Sequence, residues 1–141
     1  NVIDTNGMTP LIWAAGIGQA SVVKLLIDNG ADLGVAEMHQ QETAMMRAAR
    51  IGKIETLGFL VDAGADLKAT NALGHNSLMI ASGSAPLVKV QMLVDAGSDV
   101  SAKDIRGWTA MDHALTRTDG GRDEVIAYLK TVMPTDDSAS E

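Results

Sequence analysis

Three short strings punctuate this chain at nearly equal intervals: Gly30-Ala31-Asp32, Gly64-Ala65-Asp66 and Gly97-Ser98-Asp99, spaced by 34 and 33 residues. A fixed period in the low thirties marks one supersecondary unit, copied and stacked. Such a unit cannot bury its apolar face alone, so neighbours must cover one another, and at least about three are needed for stability. Counting back 26 positions from each repeated glycine puts unit starts at Asp4, Met38 and Asn71, and continuing the period gives a fourth at Asp104. Units one to three align along their whole length; unit four aligns over its first half.

Unit one opens with Asp4-Thr5-Asn6-Gly7, a turn with Asp first and Gly fourth. Thr9 is a good helix N-cap, and Pro10 suits the first helical position, where its missing N–H is not needed. The spacing predicts a short helix to about Ala15, packing through Leu11, Ala14 and Ala15, with Gly16-Ile17-Gly18 ending it. A second helix is predicted from Ala20 or Ser21, with Val22, Val23, Leu25, Leu26 and Ile27 apolar and Gly30 as its stop.

The pattern Asp4-x-x-Gly7-x-Thr9-Pro10-Leu11-x-x-Ala14-Ala15, then Gly18, then Val23-x-Leu25-Leu26 and Gly30-Ala31-Asp32, resembles an ankyrin repeat. The resemblance covers residues 1 to about 130. It implies an all-α solenoid of stacked helix–turn–helix units joined by β-turn loops, with residues 1–133 as the repeat domain. Unit two keeps Thr43, Met45, Ala48, Ala49, Gly52, Leu57 and Leu60 but has Met38 for the turn Asp and Gln41 for the turn Gly. Its extra residue is assigned to Val35-Ala36-Glu37, and an irregular finger is expected there. Unit three has Asn76-Ser77 for Thr-Pro and Ala85-Pro86 for the inter-helix Gly. In unit four, Thr118-Asp119-Gly120-Gly121 lengthens the inter-helix loop, a last helix runs near Asp123 to Val132, and its altered second half suits a C-terminal cap. Residues 134–141 read as a disordered acidic tail. Asn1 aligns with a position inside the family's repeat junction, so upstream residues are expected before it.

Composition narrows the function classes. Aromatics are 3% of the 141 residues, so aliphatics and the eight Met must fill the core. There is no Cys, which excludes thiolate chemistry and disulfides. No run of about 18 apolar residues is present, so no membrane insertion is expected. Of the net charge of −7, the tail supplies three negatives and leaves −4. That balance argues against nucleic acid, whose affinity comes from Lys and Arg neutralising phosphates. The compartment stays open: cytoplasmic by default, periplasmic or secreted if a leader once preceded Asn1.

Catalytic chemistry finds little purchase. His39 and His75 lie in turns, His113 occupies a helix slot that is apolar in most repeats, and no pair has the i, i+4 spacing of a helical metal site. The expectation is therefore no metal and no cofactor. The recurring carboxylates, Asp28, Asp62 and Asp95, then Asp32, Asp66 and Asp99, follow the repeat rather than a single acid–base pair. There is no phosphate loop and no Gly-x-Ser-x-Gly, and the resemblance is to a non-catalytic family.

The resemblance implies partner contact through the turn tips and the exposed end of each first helix. Carried over, these positions are Thr5, Asn6, Met8, Gly16 and Ile17 in unit one, and His39, Gln40, Glu42, Arg50 and Ile51 in unit two. In unit three they are Ala72, Leu73, His75, Gly83 and Ser84, and in unit four Ile105, Arg106, Trp108, Thr116 and Arg117. Trp108 beside Arg106 is the expected anchor. Met8, Ile17, Ile51 and Leu73 add an apolar stripe, while Trp13 is assigned to the core. Three readings follow: a monomeric protein-binding module; an inhibitor or immunity-type protein that plugs an enzyme's cleft with its tips; and a structural spacer of a larger chain.

Overall fold

The computed structural model describes residues 2–134. Eight helices alternate in two rows: α1 (Pro10–Ile17), α3 (Ala44–Arg50), α5 (Ser77–Ser84) and α7 (Ala110–Leu115) form the inner row. The outer row is α2 (Ala20–Asp28), α4 (Ile54–Asp62), α6 (Leu87–Asp95) and α8 (Arg122–Val132). Each inner helix packs on the next inner helix, each outer helix on the next outer one, and each unit's two helices on each other. Among the described residues the only sheet-like pairing is an isolated bridge between Ala36 and Thr43.

The inner helices start where side-chain caps dictate. Thr9 Oγ1 accepts from Ile12 N–H at 3.1 Å, and Asn76 Oδ1 from Met79 N–H at 2.9 Å, so Asn does in unit three what Thr does in unit one. Thr109 and Asp112 close a reciprocal capping box. Helix α1 runs past Ala15 to Ile17, because Gly18 at φ 72° supplies the left-handed cap. Pro86 stands at the N-cap position of α6, just outside the helix.

The core is one continuous seam between the rows. Leu11, Ile12, Met45, Met46, Leu57, Leu60, Leu78, Leu93 and Leu129 are fully buried in it. Of the apolar run in α2, only Val23 is buried; Val22 and Leu25 face solvent on the outer side of unit one. The residues 135–141 assigned to an acidic tail lie outside the described residues.

Unit two corrects the sequence reading. The expected finger is a tight turn clamped by the Ala36–Thr43 bridge and by Glu37 N–H donating to Glu42 O at 3.1 Å. Glu37, not Met38, takes the role of Asp4: its buried carboxylate accepts from the N–H groups of His39, Gln40 and Glu42. The extra residue therefore lies inside the turn, and the extra methylene of Glu over Asp spans it. Gln41 then occupies the turn's glycine slot at φ 58°, where Gly7, Gly74 and Gly107 have φ of 77°, 76° and 81°. A left-handed non-glycine residue costs roughly 1–2 kcal/mol. Gln41→Gly is expected to stabilise the protein by about 1 kcal/mol, after allowing for the freedom glycine adds to the unfolded chain. A higher midpoint of urea unfolding checks it.

Burial alone would raise the Glu37 carboxyl, but the N–H groups of His39, Glu42 and Gln40, with Arg47 nearby, outweigh it and hold it below the usual glutamate range. A depressed carboxyl contributes stability that is present above its unfolded value of about 4.3 and lost as pH falls through the folded one. The acid limb of stability against pH is expected to be steeper in the native chain than in Glu37→Gln, measured as urea midpoints from neutral pH into the acid range.

Candidate functional site

All four units build their tips on one acceptor. Asp4 Oδ1 accepts from Asn6 and Met8 N–H at 2.8 and 3.0 Å, Asn71 Oδ1 from Leu73 and His75 N–H at 2.9 and 3.0 Å, and Asp104 Oδ1 from Arg106 and Trp108 N–H at 2.8 and 3.0 Å. Glu37 does the same for unit two. Successive tips are then tied together. Met38 N–H donates to Asn6 O at 2.9 Å, Ala72 N–H to Gln40 O at 2.9 Å, and Ile105 N–H to Leu73 O at 3.2 Å. The tips thus form a ladder of fixed spacing, set by backbone bonds between units.

This ladder sorts the expected contact residues by one rule. Thr5, Asn6, His39, Gln40, Leu73, Ile105 and Arg106 sit at the tip and are exposed. Ile17, Arg50 and Ile51, at the ends of inner helices, are exposed too. The residue just before each inner-helix cap behaves otherwise. Met8, Glu42, His75 and Trp108 each lend their carbonyl to the N–H of the turn acid or its Asn equivalent, which folds the side chain back over the helix start. Met8 and Glu42 are consequently buried, and His75 and Trp108 half-buried. Met8 leaves the apolar stripe. Glu42 turns inward to hold Arg50 and, at 3.2 Å, Arg47.

Arg117 is likewise buried rather than presented. Its guanidinium donates to Ala85 O at 2.7 Å and Ser82 O at 3.3 Å, capping the C-terminus of α5, and pairs with Asp119 at 2.7 Å. Trp13 errs the other way: it is 53% exposed, and its Nε1 donates to Asp4 Oδ2 at 3.3 Å. The equivalent residues Arg47 and His113 pack against Gly16 and Gly83 of the unit before, whereas Trp13 faces solvent. Met38, exposed on the tip of unit two, was aligned with the turn Asp and so left out of the expected contact positions, because the insertion was placed one residue too early.

Trp108 keeps a partly open face with Arg106 stacked over it, the guanidinium carbon 3.9 Å from the ring centroid. Beneath it the ring of His113 meets Trp108 edge-on at 5.6 Å and His75 at 4.6 Å. Both imidazoles point Nε2 at Asp104 Oδ2, from 3.2 Å for His75 and 3.0 Å for His113. Burial pushes His75 below its usual value, and His113 pushes it further the same way. Burial would raise Asp104, but the Trp108 and Arg106 N–H groups and His113 bring it to about 2. Sequence reading kept these histidines apart. The signal that joins them is the repeat register, since the turn of one unit lies beside the turn of the next.

A family model described as ankyrin repeats, three copies, matches residues 1–71. With eight helices in two stacked rows among the described residues, the chain belongs to the ankyrin repeat family. Ankyrin repeats are in general protein–protein interaction modules rather than catalysts. Over 32 residues the chain is 56% identical to "Ankyrin repeat family A protein 2" of Mus musculus, Bos taurus and Homo sapiens. That match covers 23% of this chain and 10% of each relative, so the chain spans about a tenth of the length of the curated relatives it matches. Among the described residues no helix is long and apolar enough to cross a membrane.

Proposed function

We propose that this chain is a non-catalytic module that binds a protein partner across its aligned turn tips and the exposed ends of its inner helices. The observation that carries the reading is the backbone ladder between tips. It fixes the spacing of Met38, Leu73 and Ile105, all exposed apolar side chains, without using them to hold the fold. Ile17 and Ile51 extend the same apolar character onto the helix ends. Rigid, pre-spaced apolar side chains lose little entropy on binding, which is where affinity is gained. Arg106 and half-buried Trp108 close one end of this surface as a cation–π pair of the kind enriched in interface anchors.

The test uses exposed residues, so that folding is spared. A chain carrying Ile51→Asp and Leu73→Asp is expected to keep its thermal midpoint and lose partner affinity by more than about tenfold in capture from native-host extract, followed by calorimetry. Undiminished binding would move the site off this surface. A captured enzyme silenced at one-to-one stoichiometry selects the inhibitor form of the reading; a chain that captures nothing is a spacer.

A further inference from the structure

The junction between units three and four holds a donor set that the protein-binding reading does not use. We infer that His75 Nε2, Asp104 Oδ2 and His113 Nε2 are the protein ligands of a divalent transition-metal site of the zinc class, with a fourth position open to solvent. The site goes beyond the tip surface and does not depend on it.

Geometry comes first. One ligand atom from each residue lies within 4.8 Å of the other two, and Asp104 Oδ2 stands 3.2 Å from His75 Nε2 and 3.0 Å from His113 Nε2. Zinc bonds of about 2.0–2.2 Å to nitrogen and oxygen, at tetrahedral angles, place ligand atoms roughly 3.3–3.5 Å apart. Small side-chain adjustments therefore seat an ion among atoms already gathered. The three residues come from separate fixed elements: the turn of unit three, the turn of unit four, and α7.

Three further observations point to a cation. His75 Nε2 is buried and makes no hydrogen bond, although a carboxylate oxygen stands 3.2 Å away. A buried nitrogen without a hydrogen bond is uncommon, and a bound ion is one explanation for it. Asp104 is aimed by its surroundings: its Oδ1 is held by the N–H groups of Arg106 and Trp108, which leaves Oδ2 facing both imidazoles. Outer partners of this kind orient metal ligands and tune their basicity. The side chains of His75, Asp104 and His113 are 15%, 0% and 12% exposed, so the cluster is largely dry, with solvent reaching part of each imidazole. Two imidazoles with one carboxylate suit zinc and its neighbours rather than calcium or magnesium, which prefer oxygen throughout. Two positive groups oppose the ion: Arg50, which acts on His75 at longer range, and Arg106, whose Nη2 lies 3.7 Å from Asp104 Oδ2. The Arg106 side chain is 53% exposed and can swing out into water.

The experiment titrates the full chain with zinc chloride by calorimetry and with cobalt(II) by visible absorption. Saturable one-to-one binding is expected, with the intense d–d bands of tetrahedral cobalt that zinc then displaces. Asp104→Asn should weaken zinc at least about tenfold. Its fold is protected, because Asn71 already performs the same backbone bonding in unit three. His113→Gln should do likewise, and circular dichroism checks that both variants are folded. Arg106→Ala should tighten zinc several-fold by removing the nearer opposing charge, a gain that no purely structural hydrogen-bond cluster would show. The assignment is overturned by absent or non-saturating binding, by affinity that survives both Asp104→Asn and His113→Gln, by weaker binding in Arg106→Ala, or by loss of binding in His39→Gln.

Discussion

Leu60→Ala is expected to cost about 2–5 kcal/mol, the range for removing a large aliphatic from a well-packed core. Leu60 is fully buried on α4, and α4 packs on α2 of the preceding unit and α6 of the following one. A cavity there loosens two inter-unit contacts at once. In a stack, stability is a sum of unit and nearest-neighbour terms, so a damaged middle unit leaves only short stubs on either side. Small domains have about 5–15 kcal/mol in total, and the variant therefore loses a large fraction of it. Urea unfolding of the variant should show a midpoint below that of the native chain, or two separate transitions. An unchanged midpoint would contradict the stacked core. Leu129→Ala, equally buried but on the terminal helix α8, is the comparison: it should loosen the end and leave units one and two folded.

Lys89→Met is expected to cost about 2–3 kcal/mol, although the replacement is apolar and of similar length. The Lys89 ammonium is buried and donates to the carbonyls of Ala48, at 2.9 Å, and Gly52, at the C-terminal end of α3 in the neighbouring unit. A helix C-terminus carries unpaired carbonyls and partial negative charge, and a cation there satisfies both. Burial pushes the ammonium below its ordinary value, which is the opposing cost. Exchanging it for methionine recovers that desolvation but strands two buried carbonyls, and the stranded acceptors decide the sign. Lys24→Met is the control: its pair with Asp28 is on the surface, both side chains 56% exposed, and its removal should cost less than about 0.5 kcal/mol. Equal effects from the two substitutions, read from urea midpoints, would show that Lys89 does no more than a surface lysine.

Lys89 and Arg117 reach the same kind of target by different routes. Lys89, on outer helix α6, caps α3; Arg117, in the loop after α7, caps α5. Neither role has a local sequence signal, because the acceptors lie 32 to 41 residues away in another unit. That is why Arg117 was expected among the exposed contact positions and is instead buried. Glu42 and Met8 were misplaced for a nearer reason. They belong to the turn but precede the helix cap, and the backbone bond to their carbonyl turns them inward. The exposed half of the surface, by contrast, was legible: Thr5, Asn6, Ile17, His39, Gln40, Arg50, Ile51, Leu73 and Arg106 are all outward.

What the amino-acid order determined by itself was everything governed by short range and by copying. The period, the caps at Thr9, Thr43, Asn76 and Thr109, the glycine stops and the apolar seam each depend on neighbours within a turn or two of chain. What tertiary structure alone decided was how far each unit is displaced along the stack and which side chains that displacement brings together. The join of His75, Asp104 and His113, the burial of Arg117 and the exposure of Trp13 all arise between units or at the end of the row. Contacts between units answer to the spacing of the tip ladder, and that spacing is set by backbone hydrogen bonds common to every residue type, so the letters show through the repeat register which turns are neighbours but not which side chains meet there.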